Sequence, residues 1–264
     1  MKKNEAVKVF LNRYGFKMIA VCFWLFLWEA LSRWFGHNIL LPSPISVMKT
    51  LINLSGRLSF WQTILFSSLR IIAGFLLALM IGVILAVGAY NSKLIKELTK
   101  PAMKTIQAMP VASFIILALI WIKAKNLSVL ASFLMVMPLI YSNVMQGLMA
   151  ADDKLLQMAK VFRVRSIRRI IAIYIPSVMP YFVSAVAVGV GLCWKAGIAA
   201  EIIGIPKGSI GEKLYEAKLY LMTEELFAWT IVIIVVSILF ELAVMLLLRL
   251  LHRDTAHQRK TAEE

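Results

Sequence analysis

Runs of about twenty apolar residues constrain this chain more than any motif, because a helix rises about 1.5 Å per residue and a bilayer core is roughly 30 Å thick. Six such runs occur, at 18–35, 63–90, 105–122, 127–148, 176–203 and 226–250. Lipid offers no partner to exposed backbone N–H and C=O groups, so each run is expected to be helical. The second and fifth are long enough to tilt or to project beyond the bilayer. Only Lys123-Ala124-Lys125-Asn126 separates the third from the fourth, which predicts a tight helical hairpin. The fold class expected is an all-α membrane protein with about six transmembrane helices, in one domain over 1–264.

Composition agrees with lipid as the solvent. Hydrophobic types make up 61% of the 264 residues and charged types 16%, against roughly half and a quarter in soluble domains. The net charge of +15 would suggest nucleic acid in a soluble protein. Here the basic residues sit between apolar runs, and no basic patch is interleaved with stacking aromatics, so no nucleic-acid partner is expected. With the N-terminus inside, inner segments carry nineteen Lys and Arg and outer segments eight. That bias predicts a multi-pass protein of a bacterial cytoplasmic (inner) membrane with both termini cytoplasmic. The basic N-terminus before an apolar run imitates a signal peptide. The run ends in Glu29-Ala30-Leu31-Ser32-Arg33-Trp34, without a small-residue cleavage pattern, and is read as an uncleaved first span.

No metal or cofactor is expected. Cys22 and Cys193 lie inside apolar runs without ligand spacing. His37, His252 and His257 fall outside the expected spans, and none pairs with an acid at ligand spacing. An intramembrane enzyme would need such a pair or a metal site.

Two segments outside the spans are not loop-like. In the outer stretch from Asn38 to Trp61, Ser43 can cap a helix with Pro44 at its first position. The apolar residues that follow predict a short amphipathic helix at the outer surface. In the inner stretch 152–175, Leu155, Met158, Ala159 and Phe162 fall at helical spacing, followed by a basic turn and then Ile167, Ile170 and Ile171. This predicts two short helices joined at Arg163–Ser166, with Ser166 as a second cap. Periodicity leaves two readings open. The hairpin rests on anionic lipid, in a secondary transporter or channel, or it inserts apolar knobs into a groove on a cytoplasmic partner.

Gln157-Met158-Ala159-Lys160-Val161-Phe162-Arg163, nine residues, then Ile173-Tyr174-Ile175-Pro176 resembles the EAA loop of ABC importer permeases. The family pattern is E-A-A, three residues, Gly, nine residues, I-x-L-P. Ala159, Ile173 and Pro176 match it, and Ile175 replaces Leu. Gln157 stands for Glu and Met158 for Ala, and Arg163 stands where the family has Gly. That Gly permits a left-handed turn, and a side chain there costs on the order of 1 kcal/mol; either the turn has shifted or the strain is tolerated. Trp28-Glu29, Leu41-Pro42-Ser43-Pro44, Ser68-Leu69-Arg70-Ile71-Ile72-Ala73-Gly74-Phe75, Met109-Pro110 and Ala200-Glu201-Ile202-Ile203-Gly204 with Gly208 and Gly211 resemble permeases of the nitrate/sulfonate/taurine type. The matches run in order across about 200 residues.

The resemblance implies a permease subunit forming the translocation path of an ABC-type importer. Its expected partners are membrane lipid, a second permease copy, two cytoplasmic ABC ATPase subunits and an extracytoplasmic substrate-binding protein. It also implies that Gln157, Met158, Ala159, Phe162, Arg163, Ile173 and Pro176 form the coupling helices that dock on the ATPase, with Pro176 breaking the second short helix from the fifth span. The sequence holds no G-x-x-x-x-G-K-[ST] motif and no Gly-Lys dipeptide, so this chain is expected not to be an enzyme, and ATP hydrolysis is expected in a partner subunit.

Ionisable residues inside spans are functional candidates. Glu29, Arg70, Lys195 and Glu201 fall at similar depth in the outer halves of their spans, whereas Glu241 lies in the inner half of the sixth. Two readings stand for the first four: mutual ion pairing, or Arg70 or Lys195 facing the path and attracting an anion. Gly74, Gly82, Gly88, Gly189, Gly191 and Gly197 in spans two and five suggest close helix packing.

Overall fold

The computed structural model describes the backbone at residues 2–36 and 41–260, and the side chains at 18–34, 36 and 41–250. The described residues form helices α1 (Lys2–Phe35), α2 (Pro44–Ser55), α3 (Leu58–Asn91), α4 (Lys93–Ala108), α5 (Val111–Ala118), α6 (Leu127–Met149), α7 (Asp153–Val161), α8 (Ser166–Arg169), α9 (Ile175–Gly204), α10 (Ile210–Leu219) and α11 (Thr223–Lys260). A 3₁₀ turn at Ala124–Asn126 precedes α6, and a π-helical turn at Ile170–Tyr174 joins α8 to α9. The all-α expectation holds. The chain divides into two compact units, residues up to Trp61 with Lys213–Ile231, and Gln62–Glu212 with Val232 onward.

In the first unit the Leu41-Pro42-Ser43-Pro44 segment is fastened to α1. Trp28 donates its indole N–H to the Pro42 carbonyl at 3.1 Å, and Ser32 its hydroxyl to the Leu41 carbonyl at 2.8 Å. Ser43 caps α2, accepting from the Ser46 amide at 3.2 Å, with Pro44 in the first turn, as the sequence requires. Val47 and Leu54 turn inward, while Ile45, Met48 and Ile52 remain exposed. Thr50 donates to Glu224 at 3.2 Å, and Phe60 stacks on Trp229 with ring centroids 5.0 Å apart.

In the second unit α3, α6 and α9 pack around Ile71, Phe75, Val136, Ile140, Val186, Val190 and Trp194, all fully or almost fully buried. Small residues let the backbones approach. A Cβ on Gly197 of α9 would lie 2.5 Å from Ile71 of α3 and 2.8 Å from the Ser132 hydroxyl of α6, and one on Gly74 of α3 would strike the Val129 carbonyl. Ser132 donates to the Cys193 carbonyl at 2.9 Å, crossing from α6 to α9. Gly82 also sits at a crossing, against Ile140, but a Cβ on Gly191 would meet nothing within 4 Å.

Among the described residues four helices are long and apolar enough to cross a membrane: Leu58–Asn91, Ala124–Met149, Ser166–Gly204 and Thr223–Leu250. The first expected run lies on α1. The third, 105–122, is not one straight helix. It is divided between α4 and α5, which are bent by 103° at Met109-Pro110. Pro110 has no N–H to continue α4 and holds Met109 extended, at φ −75° and ψ 126°. α4 itself has a polar face bearing Lys93, Lys96, Lys100 and Lys104, with only Met103 buried.

Candidate functional site

The segment between α6 and α9 folds as a helical hairpin. Asp152 caps α7, accepting from the Lys154 amide at 2.8 Å. Asp153 in the first turn and Lys160 in the last complement the helix dipole. α7 then ends in a tight two-bond turn. The Arg163 amide donates to the Lys160 carbonyl at 3.2 Å and the Val164 amide to the Ala159 carbonyl at 2.9 Å, with Arg163 left-handed at φ 50°. This is the Schellman arrangement that glycine ordinarily closes. The turn has therefore not shifted: Arg163 occupies the left-handed position and bears the strain.

The arm beyond the turn departs from expectation twice. Arg165, not Ser166, takes the N-cap position, and Ser166 is the first helical residue. Pro176 does not break the helix either: Ser166–Gly204 is continuous over 39 residues. The π-helical turn explains this. The Ile175 amide reaches back to the Ile170 carbonyl, and the widened turn gives the Pro176 ring room beside the carbonyl four residues earlier. The second arm of the hairpin is thus helically continuous with the longest of the four candidate spans.

Its apolar residues sort into two sets. Ala159 and Ile173, 5% and 8% exposed, pack with Ala151, Leu156 and Tyr174 inside the hairpin. Met158, Val161, Phe162 and Ile167 face outward, with Val161, Phe162 and Ile167 between 71% and 76% exposed. Gln157 and Arg163 are exposed and Pro176 is half-buried. Lys160, Arg165 and Arg168 are exposed in the same hairpin.

The intramembrane charges do not pair as a cluster among the described residues. Glu29 bonds Arg33, one turn away, at 2.8 Å. Arg70 lays its guanidinium over the Phe66 ring, 3.6 Å from the centroid, and donates to the Lys125 carbonyl, tying α3 to the turn before α6. Lys195 and Glu241 are exposed. Glu201 is fully buried, and its Oε2 accepts from the Ser67 hydroxyl at 2.7 Å and the Gly211 amide at 3.3 Å. The Ser67 oxygen in turn accepts the Ile210 amide at 2.9 Å. Glu201 Oε1 has no hydrogen-bond partner, and the fully buried Ser128 hydroxyl, also without one, lies beside the same carboxylate. Sequence reasoning missed Ser67, Ser128 and the α10 amides. The available signal was hydroxyls at the same level as Glu201. His37 lies outside the described residues, as do the side chains of His252 and His257.

Residues 78–257 match the family described as binding-protein-dependent transport system inner membrane component. The chain belongs to that family. It is the transmembrane permease of an ABC-type importer, a transport component rather than an enzyme, and a multi-pass inner-membrane protein. It is similar to the taurine transport system permease protein TauC of Escherichia coli, at 22% identity over 84% of this chain and 82% of that protein. It is also similar to the nitrate import permease protein NrtB of Synechococcus elongatus, at 27% identity over 81% and 79%. Among solved structures it shares the fold of an amino acid ABC transporter, with a TM-score of 0.57 and 16% identity, over 78% of this chain and 96% of that one.

Proposed function

We propose that the α7–α8 hairpin is the element through which this permease takes up the work of a cytoplasmic ATPase. The observation that carries the reading is the division of its apolar residues. Ala159 and Ile173 hold the two arms together, while Met158, Val161, Phe162 and Ile167 present an apolar tip with nothing of the described chain over it. Such a tip fits a groove on a partner. The unbroken helix from Ser166 to Gly204 carries any displacement of the tip toward Glu201 as a rigid body.

In this reading ATP is hydrolysed by the partner, two copies of which serve a permease dimer. Six spans, formed by α1, the bent α4–α5 pair and the four long helices, leave both termini and the hairpin on the cytoplasmic side, in accord with the distribution of Lys and Arg. The extracytoplasmic binding protein delivers substrate to the opposite face. Gln157, Met158, Phe162 and Arg163 make the docking surface. Ala159, Ile173 and Pro176 shape it. Arg70 and Glu201 act as fasteners at the outer ends of α3 and α9, and Lys195, the exposed cation, is the candidate for the path.

Co-purification tests this. The tagged permease, expressed with its ATPase and extracted in mild detergent, should retain that ATPase, and Phe162→Asp should release it while leaving the permease folded. Retention of the ATPase by Phe162→Asp would assign the tip to the lipid surface instead.

A further inference from the structure

Beside the hairpin lies an apolar cavity of about 290 Å³, open on one side. Val83 and Val87 of α3, Val144 and Leu148 of α6, and Tyr174 and Val178 of the α8–α9 arm form its walls. Almost none of that wall is polar. Polar residues flank the π-helical turn that passes along it: Arg169 precedes the turn and Tyr174 ends it. Ile170 lines the cavity, and the residue before it, Arg169, is half-buried with its Nε shielded from solvent and without a hydrogen-bond partner. The Tyr174 hydroxyl stands 3.5 Å from that of Tyr90. Arg169 and the exposed Asp153 both lie within electrostatic reach of Tyr90.

A carbon-lined cavity near a guanidinium with one buried, unsatisfied N–H and two hydroxyls is the complement of an amphiphile with an anionic head. We propose that this cavity holds one acyl chain of an anionic phospholipid, whose phosphate is received by Arg169 and the Tyr90–Tyr174 hydroxyl pair. A buried guanidinium N–H without an acceptor is costly, and phosphate is the acceptor its planar fork fits best. Neither half of the site suffices alone. A soluble anion would satisfy Arg169 and leave the cavity wall in water. An apolar helix of a second copy would cover the wall and leave Arg169 without an acceptor. The occupant would touch α3, α6 and the root of the hairpin together, so the lipid would join the elements that must move as one. The proposal concerns residues apart from the docking tip and does not depend on what the tip binds.

The test uses the full-length protein in mild detergent, with native mass spectrometry during titration by phosphatidylglycerol or by diacylglycerol of matched chains, which lacks the phosphate. Phosphatidylglycerol should bind tighter by at least about tenfold, the effect of one charge-assisted hydrogen bond. Arg169→Gln should abolish the preference, and Arg168→Gln, an exposed neighbour of the same charge, should keep it. Val87→Trp, which fills the cavity, should weaken both lipids. Inorganic phosphate at equal concentration should not displace the lipid. Equal loss with Arg168→Gln and Arg169→Gln, full displacement by phosphate, or no effect of Val87→Trp would overturn the proposal. Should Arg169→Gln fail to fold, a photoactivatable phosphatidylglycerol on the wild-type chain decides: labelling at Val83–Val87 or Val144–Leu148 supports the site, and labelling confined elsewhere refutes it.

Discussion

Ser67 and Glu201 form a hydroxyl–carboxylate bond of 2.7 Å inside the packed helices, and the same Ser67 oxygen accepts the first amide of α10. Glu201 Oε2 accepts the next amide, that of Gly211. The first two amides of α10 are thus satisfied by side chains from α3 and α9, with a carboxylate at the positive end of the helix dipole. A buried glutamate in an apolar span is tolerated here with one of its oxygens accepting two hydrogen bonds.

Removing that shared acceptor should loosen α10 selectively. Ser67→Ala leaves the Ile210 amide without a partner and takes one donor from Glu201, at a cost of about 1–3 kcal/mol. Gly211→Ala should do the same by a different route, because its Cβ would land on the Glu201 Cβ and carbonyl carbon. Hydrogen exchange at the Ile210 and Gly211 amides should accelerate in both variants, while exchange in α7 stays unchanged.

At the hairpin turn, Arg163 is a non-glycine residue at φ 50°. Arg163→Gly should stabilise the turn by about 1 kcal/mol, because the strain of a left-handed side chain disappears. Arg163→Val should destabilise it. Slower exchange at the Val164 amide in the glycine variant, and faster exchange in the valine variant, is the expected result.

The helix crossings predict a contrast among glycines. Gly197→Ala forces a methyl into Ile71 and Ser132, and Gly74→Ala places one against the Val129 carbonyl. Each should destabilise the detergent-solubilised protein by about 1–3 kcal/mol. Gly191→Ala has open space around the new methyl and should be close to neutral or slightly stabilising. Thermal unfolding of the three variants in one detergent provides the comparison.

The helical class and the four long apolar helices were legible from run length, since lipid leaves the backbone no alternative. The capped helix at Ser43-Pro44 and the α7 arm were legible as well, because caps and apolar spacing are local signals. Other features lay beyond sequence. The bend at Met109-Pro110 sits inside an apolar run, where hydropathy averages over it. The π-helical turn before Pro176 depends on where one carbonyl can move, and residue type alone does not encode that. The four ionisable residues at one level suggested mutual pairing, yet Glu201 is bonded instead by a hydroxyl and a backbone amide, groups that carry no formal charge. Ala159 and Phe162 share one helical stripe in sequence but face opposite surroundings, because the return arm covers only Ala159.

That last distinction gives the most direct test of the coupling role. Permease carrying Phe162→Asp or Ala159→Asp is co-expressed with the ATPase, and complex recovery is measured beside thermal stability. Phe162→Asp should lose the ATPase with stability unchanged, because its side chain is exposed. Ala159→Asp should lose both, because it buries a charge among Ala151, Leu156 and Ile173. A Phe162→Asp permease that keeps its ATPase and its transport would contradict the account.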